Sequence, residues 1–185
     1  QNQLEAVVRT INATTDYYLE SKYSGDELKN KMFGGCRIPG EPIDSWVQQP
    51  SKNAIIAYRG NLYSIDVIDT NGCKVGVSSL HHYIHDIMSA KLTTDSKQVG
   101  LLTALPRAEW YRARNSLLLD WRNRENFASI ENSLFFVSID SLIENNTQKE
   151  KHAGVTYKSA INGDCWFDKP FQLKVFKDGT FGCNF

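Results

Sequence analysis

Leu134-Phe135-Phe136-Val137-Ser138-Ile139 is a nearly unbroken apolar run. Such a run reads as a buried strand, because a strand with one face in water alternates apolar and polar positions. A helical pattern leads into it from Arg124 to Asn132, with Phe127 and Ile130 on one face and Asn123 placed to cap the helix. Residues 140–155 are polar and read as a mobile loop. Beyond them Phe171 to Lys177 partly alternates, Asp178-Gly179 turns, and residues 180–185 return, which predicts a hairpin. Upstream, Ala54 to Tyr58 and Leu62 to Ile68 form a clearer hairpin joined by Arg59-Gly60-Asn61. A buried strand set among hairpins and helices implies an α/β domain with a mixed sheet.

The remaining elements follow from period and punctuation. Leu4, Val7, Val8 and Ile11 share one helical face, so residues 2–22 read as a helix. A short helix is expected from Asp26 to Lys31, broken by Gly34-Gly35. Pro39, Pro42 and Pro50 make residues 34–52 a loop without a long regular element. Asp69-Thr70-Asn71-Gly72 reads as a turn. Leu80, Ile84, Ile87 and Met88 stripe a helix from Ser78 to Ala90, with Ser78 or Ser79 as its cap. Val99 to Leu102 reads as a short buried strand, and Pro106 opens a helix running to about Leu119.

The chain has 185 residues, enough for one domain with a sizeable core. Apolar residues at 41% and charged residues at 23% describe a folded chain. Lys+Arg and Asp+Glu both total 21, which argues against bulk electrostatic binding to nucleic acid or anionic membrane. No run approaches the roughly eighteen apolar residues of a membrane span. Cys36, Cys73, Cys165 and Cys183 lie far apart, without Cys-x-x-Cys pairing, and read as free thiols with no metal site among them.

Several constellations invite chemistry and carry little of it. His81 and His85 are four apart on a helix, but no third ligand or general base stands nearby. They read as a polar helix flank. Neither these, nor His82, nor His152 sits beside a Cys in sequence, and no Gly-x-Ser-x-Gly elbow is present. Arg107, Arg112, Arg114, Arg122 and Arg124 are offset by Glu109, Asp120 and Glu125 and read as a solvated helical face. Cys165-Trp166-Phe167-Asp168-Lys169 sets two aromatics against an acid and a base just before the last hairpin. On chemistry alone it reads as a strand entry with an Asp168–Lys169 ion pair at the sheet edge.

Trp166-Phe167-Asp168-Lys169, then a strand, Asp178-Gly179 and Gly182, resembles a motif of the carnitine/choline acyltransferase family. Three further stretches agree in order. Cys36-Arg37-Ile38-Pro39-Gly40 with Asp44 resembles the family's Cys-Arg-Val/Leu-Pro-Gly segment. Val99-Gly100-Leu101-Leu102-Thr103, with Trp110 and Ala113-Arg114, resembles another, and Ile130 to Asp140 resembles its helix-to-strand junction. The likeness runs from about Gly34 to Phe185 and leans toward the carnitine octanoyl- and palmitoyltransferase branches. The chain departs at Cys165, where the family usually has Arg, and at Pro170, where it often has Ser or Thr.

The resemblance implies a two-layer, chloramphenicol-acetyltransferase-like fold, with residues 1–185 as part of one acyltransferase domain, incomplete at both ends. It implies a carnitine O-acyltransferase with acyl-CoA and carnitine as substrates, coenzyme A as cosubstrate, and no tightly bound cofactor or metal. The catalytic base would be a His two positions beyond Phe185, so no catalytic residue is assigned within the chain and the chain alone is expected to be inactive. Trp166, Asp168 and Lys169 would be a structural motif near the active site. Mitochondrial or peroxisomal location is implied, with any membrane association supplied by parts outside this chain. Choline acetyltransferase, or a non-catalytic domain of the same fold, stays open as an alternative.

Overall fold

Five strands form the central sheet of the computed structural model, which describes residues 2–24, 27–91, 98–140 and 163–184. The order along the sheet is β4 (Asn61–Asp66), β3 (Asn53–Tyr58), β5 (Phe136–Ile139), β6 (Gln172–Val175), β7 (Phe181–Asn184). β3, β5 and β6 run parallel, and the antiparallel partners β4 and β7 close the two edges. The apolar run is therefore the middle strand, with neighbours on both sides.

The side chains of each strand alternate between two faces. Ile56, Val137, Leu173 and Cys183 lie in one register row. That face packs against α1 (Gln3–Ser24) and α3 (Val77–Ser89) through Val7, Ile11, Leu80 and Ile84. To these two expected layers the structure adds a cover on the opposite face. There Ile55, Ala57 and Phe136 meet the β1 (Gly35–Ile38) and β2 (Ser45–Gln48) hairpin, α4 (Arg107–Leu117) and α5 (Trp121–Asn132). The short α2 (Glu27–Met32) joins α1 to β1.

Several expectations change locally. Residues 34–52 are not only loop: β1 and β2 pair antiparallel over four residues each, short enough to fit between Gly34, the Pro39–Pro42 bend and Pro50. Val99–Ala104 is a 3₁₀ helix, not a strand, because Thr103 Oγ1 and the Leu101 amide turn back onto Gly100 and Gln98 carbonyls instead of a neighbouring strand. α3 starts on Gly76 with no side-chain cap, so neither Ser78 nor Ser79 fills that role. α5 begins earlier than expected, capped by Asp120 through the Arg122 amide, and Asn123 donates to the Leu117 carbonyl instead. The polar loop at 140–155 lies outside the described residues beyond Asp140.

Both hairpins are where the sequence puts them. At the β3–β4 turn Arg59 and Gly60 have φ of 53° and 77°, the left-handed pair that matches strand twist. Glycine supplies one of the two at no steric cost. Arg59 reaches the other while its guanidinium lies 5.0 Å from the Tyr58 ring centroid.

Candidate functional site

The segment from Asp164 to Lys169 lies on the sheet face covered by α4 and α5. Trp166 is 1% exposed there and packs edge-on against Trp110 and Phe127, with ring centroids 6.1 and 5.5 Å away. A carboxylate two residues from such a tryptophan is buried at little cost only if donors replace its water. Asp168, 3% exposed, has them. Its Oδ1 accepts from Arg107 Nη1 at 2.7 Å and Arg37 Nε at 3.1 Å, and its Oδ2 accepts from Trp110 Nε1 at 2.7 Å. Its backbone carbonyl accepts from the Arg37 amide at 2.9 Å.

Asp44 extends this network. It lies 2.7 Å from Arg107 Nε and accepts from the Gly40 amide at 3.1 Å. Desolvation pushes the Asp44 carboxyl up, but the Gly40 amide and Arg107 outweigh it and leave it below the ordinary carboxylate range. Four pieces of chain are thereby tied to one point: β1, the 40–44 bend, α4 and the lead into β6.

Lys169 does not pair with Asp168, as the sequence suggested. It is 2% exposed and its Nζ donates to the Glu131 and Ser133 carbonyls, at the C-terminus of α5. A cation there meets the negative end of the helix and satisfies carbonyls the helix leaves open. Burial nonetheless pushes its ammonium down to about 8. Glu131 binds Arg114 with two bonds of 2.8 and 2.9 Å. So two arginines of the supposed solvated face, Arg107 and Arg114, are structural ions of the second core. Helical period alone does not separate them from exposed Arg112, Arg122 and Arg124.

A second polar group sits beside this one. Asp164 is 2% exposed and accepts from the Gly60 amide at 2.8 Å. Desolvation raises its carboxyl to about 6, opposed by the Gly60 amide and by buried Lys174. A folded-state value above the ordinary 3.8 means its contribution to stability is full below 3.8 and is lost as pH rises through about 6. Asp164→Asn keeps an acceptor for Gly60 and removes the titration. Wild-type stability minus that of Asp164→Asn is expected to fall by on the order of 2 kcal/mol between pH 4 and pH 7. Urea unfolding at those two pH values measures it, and a difference that stays flat or rises would sink the assignment.

The other candidates hold no site. His81 is 3.2 Å from Glu5, while His82 and His85 lie near Asp86 on the outer side of α3. His152 lies outside the described residues. Cys36 and Cys165 are fully buried, and desolvation pushes both thiols up to about 12, which leaves them unreactive. Cys165 Sγ points at the Gly100 carbonyl, 3.5 Å away, so the position where the resemblance puts an arginine is here a small buried thiol. Among the described residues no group of three or more His, Cys, Asp or Glu is placed to hold a metal, and no helix is long and apolar enough to cross a membrane.

The sequence singled out Trp166, Asp168 and Lys169, and all three are core residues of this cluster. It missed Arg37, Asp44, Arg107 and Trp110 as their partners. The available signal was physical: an acid flanked by aromatics needs cations from elsewhere, and arginine is the residue suited to a buried carboxylate. Chemically, the cluster reads as an anchor: the Asp168 carboxylate accepts three side-chain hydrogen bonds and the Lys169 ammonium donates to two carbonyls. What it anchors is the entry to β6, and through the Val175↔Phe181 and Leu173↔Cys183 pairs, the position of β7.

A family model described as Choline/Carnitine o-acyltransferase matches residues 3–185. The human protein named carnitine O-acetyltransferase is 27% identical over 98% of this chain and 33% of its own length. The Xenopus tropicalis protein named carnitine O-palmitoyltransferase 2, mitochondrial, is 29% identical over 84% of this chain and 23% of its own. The Danio rerio protein named choline O-acetyltransferase is 30% identical over 83% of this chain and 26% of its own. The chain thus spans about a third or less of the length of these relatives.

Proposed function

The chain belongs to the choline/carnitine O-acyltransferase family, and on that premise we propose that the protein carrying it transfers acyl groups reversibly between acyl-CoA and carnitine. The supporting observation is the Asp168 cluster, which ties the β6–β7 hairpin to two helices and the β1–β2 hairpin. In this reading the segment is part of a single acyltransferase domain, and Trp166, Asp168 and Lys169 lie behind its active site as positioning residues. They fix the strand that the family resemblance places before a catalytic histidine.

That histidine takes the hydroxyl proton of carnitine. The alkoxide attacks the thioester carbonyl, and the tetrahedral oxyanion is held by hydrogen bonds. Collapse breaks the carbon–sulfur bond, and the imidazolium returns its proton to the departing CoA thiolate. No covalent enzyme intermediate forms, and coenzyme A enters only as a substrate. The relatives named for carnitine enzymes and the mitochondrial palmitoyltransferase support an organellar role in fatty-acyl metabolism.

The choline O-acetyltransferase relative supports choline as the rival acceptor. A pocket built for a carboxylate leaves a buried cation unpaired when choline occupies it. With the purified full-length protein that carries this chain, release of free CoA thiol from acyl-CoA is expected with carnitine, and kcat/KM for choline is expected to be lower by on the order of a hundredfold or more. A reversed ratio would make choline the acceptor. No thiol release with either acceptor, across acetyl-, octanoyl- and palmitoyl-CoA, would end the acyl-transfer reading.

A further inference from the structure

On the sheet face away from Asp168, α1 and the β6–β7 hairpin enclose an open groove of about 770 Å³. The helix wall is low because Ala6, Thr10 and Ala13 recur at helical spacing on one face. The opposite wall is Leu173 from β6 with Phe181 and Cys183 from β7. The lining is mainly apolar, and the volume falls in the range of small-molecule sites, roughly 300–1,000 Å³. From Arg9 to Tyr17 the helix rises roughly 12 Å, the reach of an extended alkyl chain of about ten carbons.

The charge in the groove is one-sided. Among the described residues Arg9 is the only charged one in the lining; it is exposed and makes no ion pair with them. The neighbouring acids are engaged elsewhere, Glu5 with His81 and Asp16 with Lys74. We propose that this groove binds a free single-chain amphiphile with an anionic head, the alkyl chain lying along α1 and the head at Arg9. A cationic amphiphile would gain the same apolar contact and meet repulsion at the head. The inference concerns binding alone and does not depend on the acyl-transfer reading.

The thiols provide the readout. Cys183 lines the groove and Cys73 is exposed elsewhere, while Cys36 and Cys165 are buried. Maleimide labelling of the native purified protein, resolved by peptide mass, should therefore modify Cys73 and Cys183. Laurate below its micelle concentration is expected to slow labelling of Cys183 about tenfold or more and leave Cys73 unchanged. Arg9→Ala should weaken that protection about fivefold, the scale of an exposed ion pair. Ala13→Trp, at an exposed position, should fill the groove and abolish protection by laurate without changing the unfolding temperature. Dodecyltrimethylammonium and phosphatidylglycerol vesicles should not protect. The proposal is overturned if Cys183 is unreactive without laurate, since polypeptide then covers the groove. Equal protection by the cationic amphiphile, protection by vesicles, or laurate protection that survives in Ala13→Trp overturns it as well.

Discussion

Asp168→Ala is expected to destabilise the protein by about 3 kcal/mol or more, measured by urea unfolding of the purified protein at neutral pH. Truncation leaves the Trp110 indole N–H without its acceptor, in a core where Trp110 is 1% exposed. It also leaves Arg107 facing only Asp44. Arg37, whose side chain is 48% exposed, loses a partner that water can replace, so its share of the cost is small. Asp168→Asn keeps the volume and one acceptor, and should cost less than alanine. The indole bond can be isolated with Trp110→Phe, which removes the donor and keeps a ring. In a double-mutant cycle with Asp168→Asn the two changes should fall short of additivity by about 1 kcal/mol or more. An alanine variant within about 0.5 kcal/mol of wild type would mean that Asp168 is not the buried acceptor described.

That expectation was only half readable in the sequence. Phe136 and Val137 announce a central strand because burial on both faces removes the polar positions that otherwise mark water. Gly60 and Asp178-Gly179 announce turns because few residues take those backbone angles. These are local signals, and they gave both hairpins and the mixed sheet. The Asp168 network is not local: its partners are 131, 61 and 58 residues away. Arg107 looked like its exposed neighbours because helical spacing records which face a residue takes, not what that face meets. Lys169 misled for the same reason, since adjacency to Asp168 suggested a pair that the chain direction does not allow. The short β1–β2 pair was hidden by prolines that bound it without entering it.

The 3₁₀ helix at Val99–Ala104 shows how an apolar run is read wrongly when the decisive contact is to backbone, and it sets the second large expected effect. Gly100 packs directly on the segment that carries Trp166. A methyl group there would lie 2.1 Å from the Cys165 carbonyl oxygen and 2.7 Å from that of Gly163. Neither atom is the end of a flexible side chain, so the substitution must move main chain. The same segment is tied in place by Phe167 donating to Thr103 Oγ1 at 3.0 Å and by the Asp168 and Lys169 anchors. Displacement therefore spreads from the 3₁₀ helix into the second core. Gly100→Ala is expected to cost about 4 kcal/mol or more, beyond the usual range for one added methyl. Gly76→Ala, where nothing lies within 4 Å and φ is −61°, should cost about 1 kcal/mol or less, the difference between Gly and Ala as an N-cap, and serves as the control for removing a glycine. Thermal unfolding of the two variants beside wild type separates close approach from backbone freedom. Equal, small shifts would mean that the 3₁₀ helix does not rest on the Cys165 backbone, and that Val99 to Leu102 is free to be the strand its composition suggests.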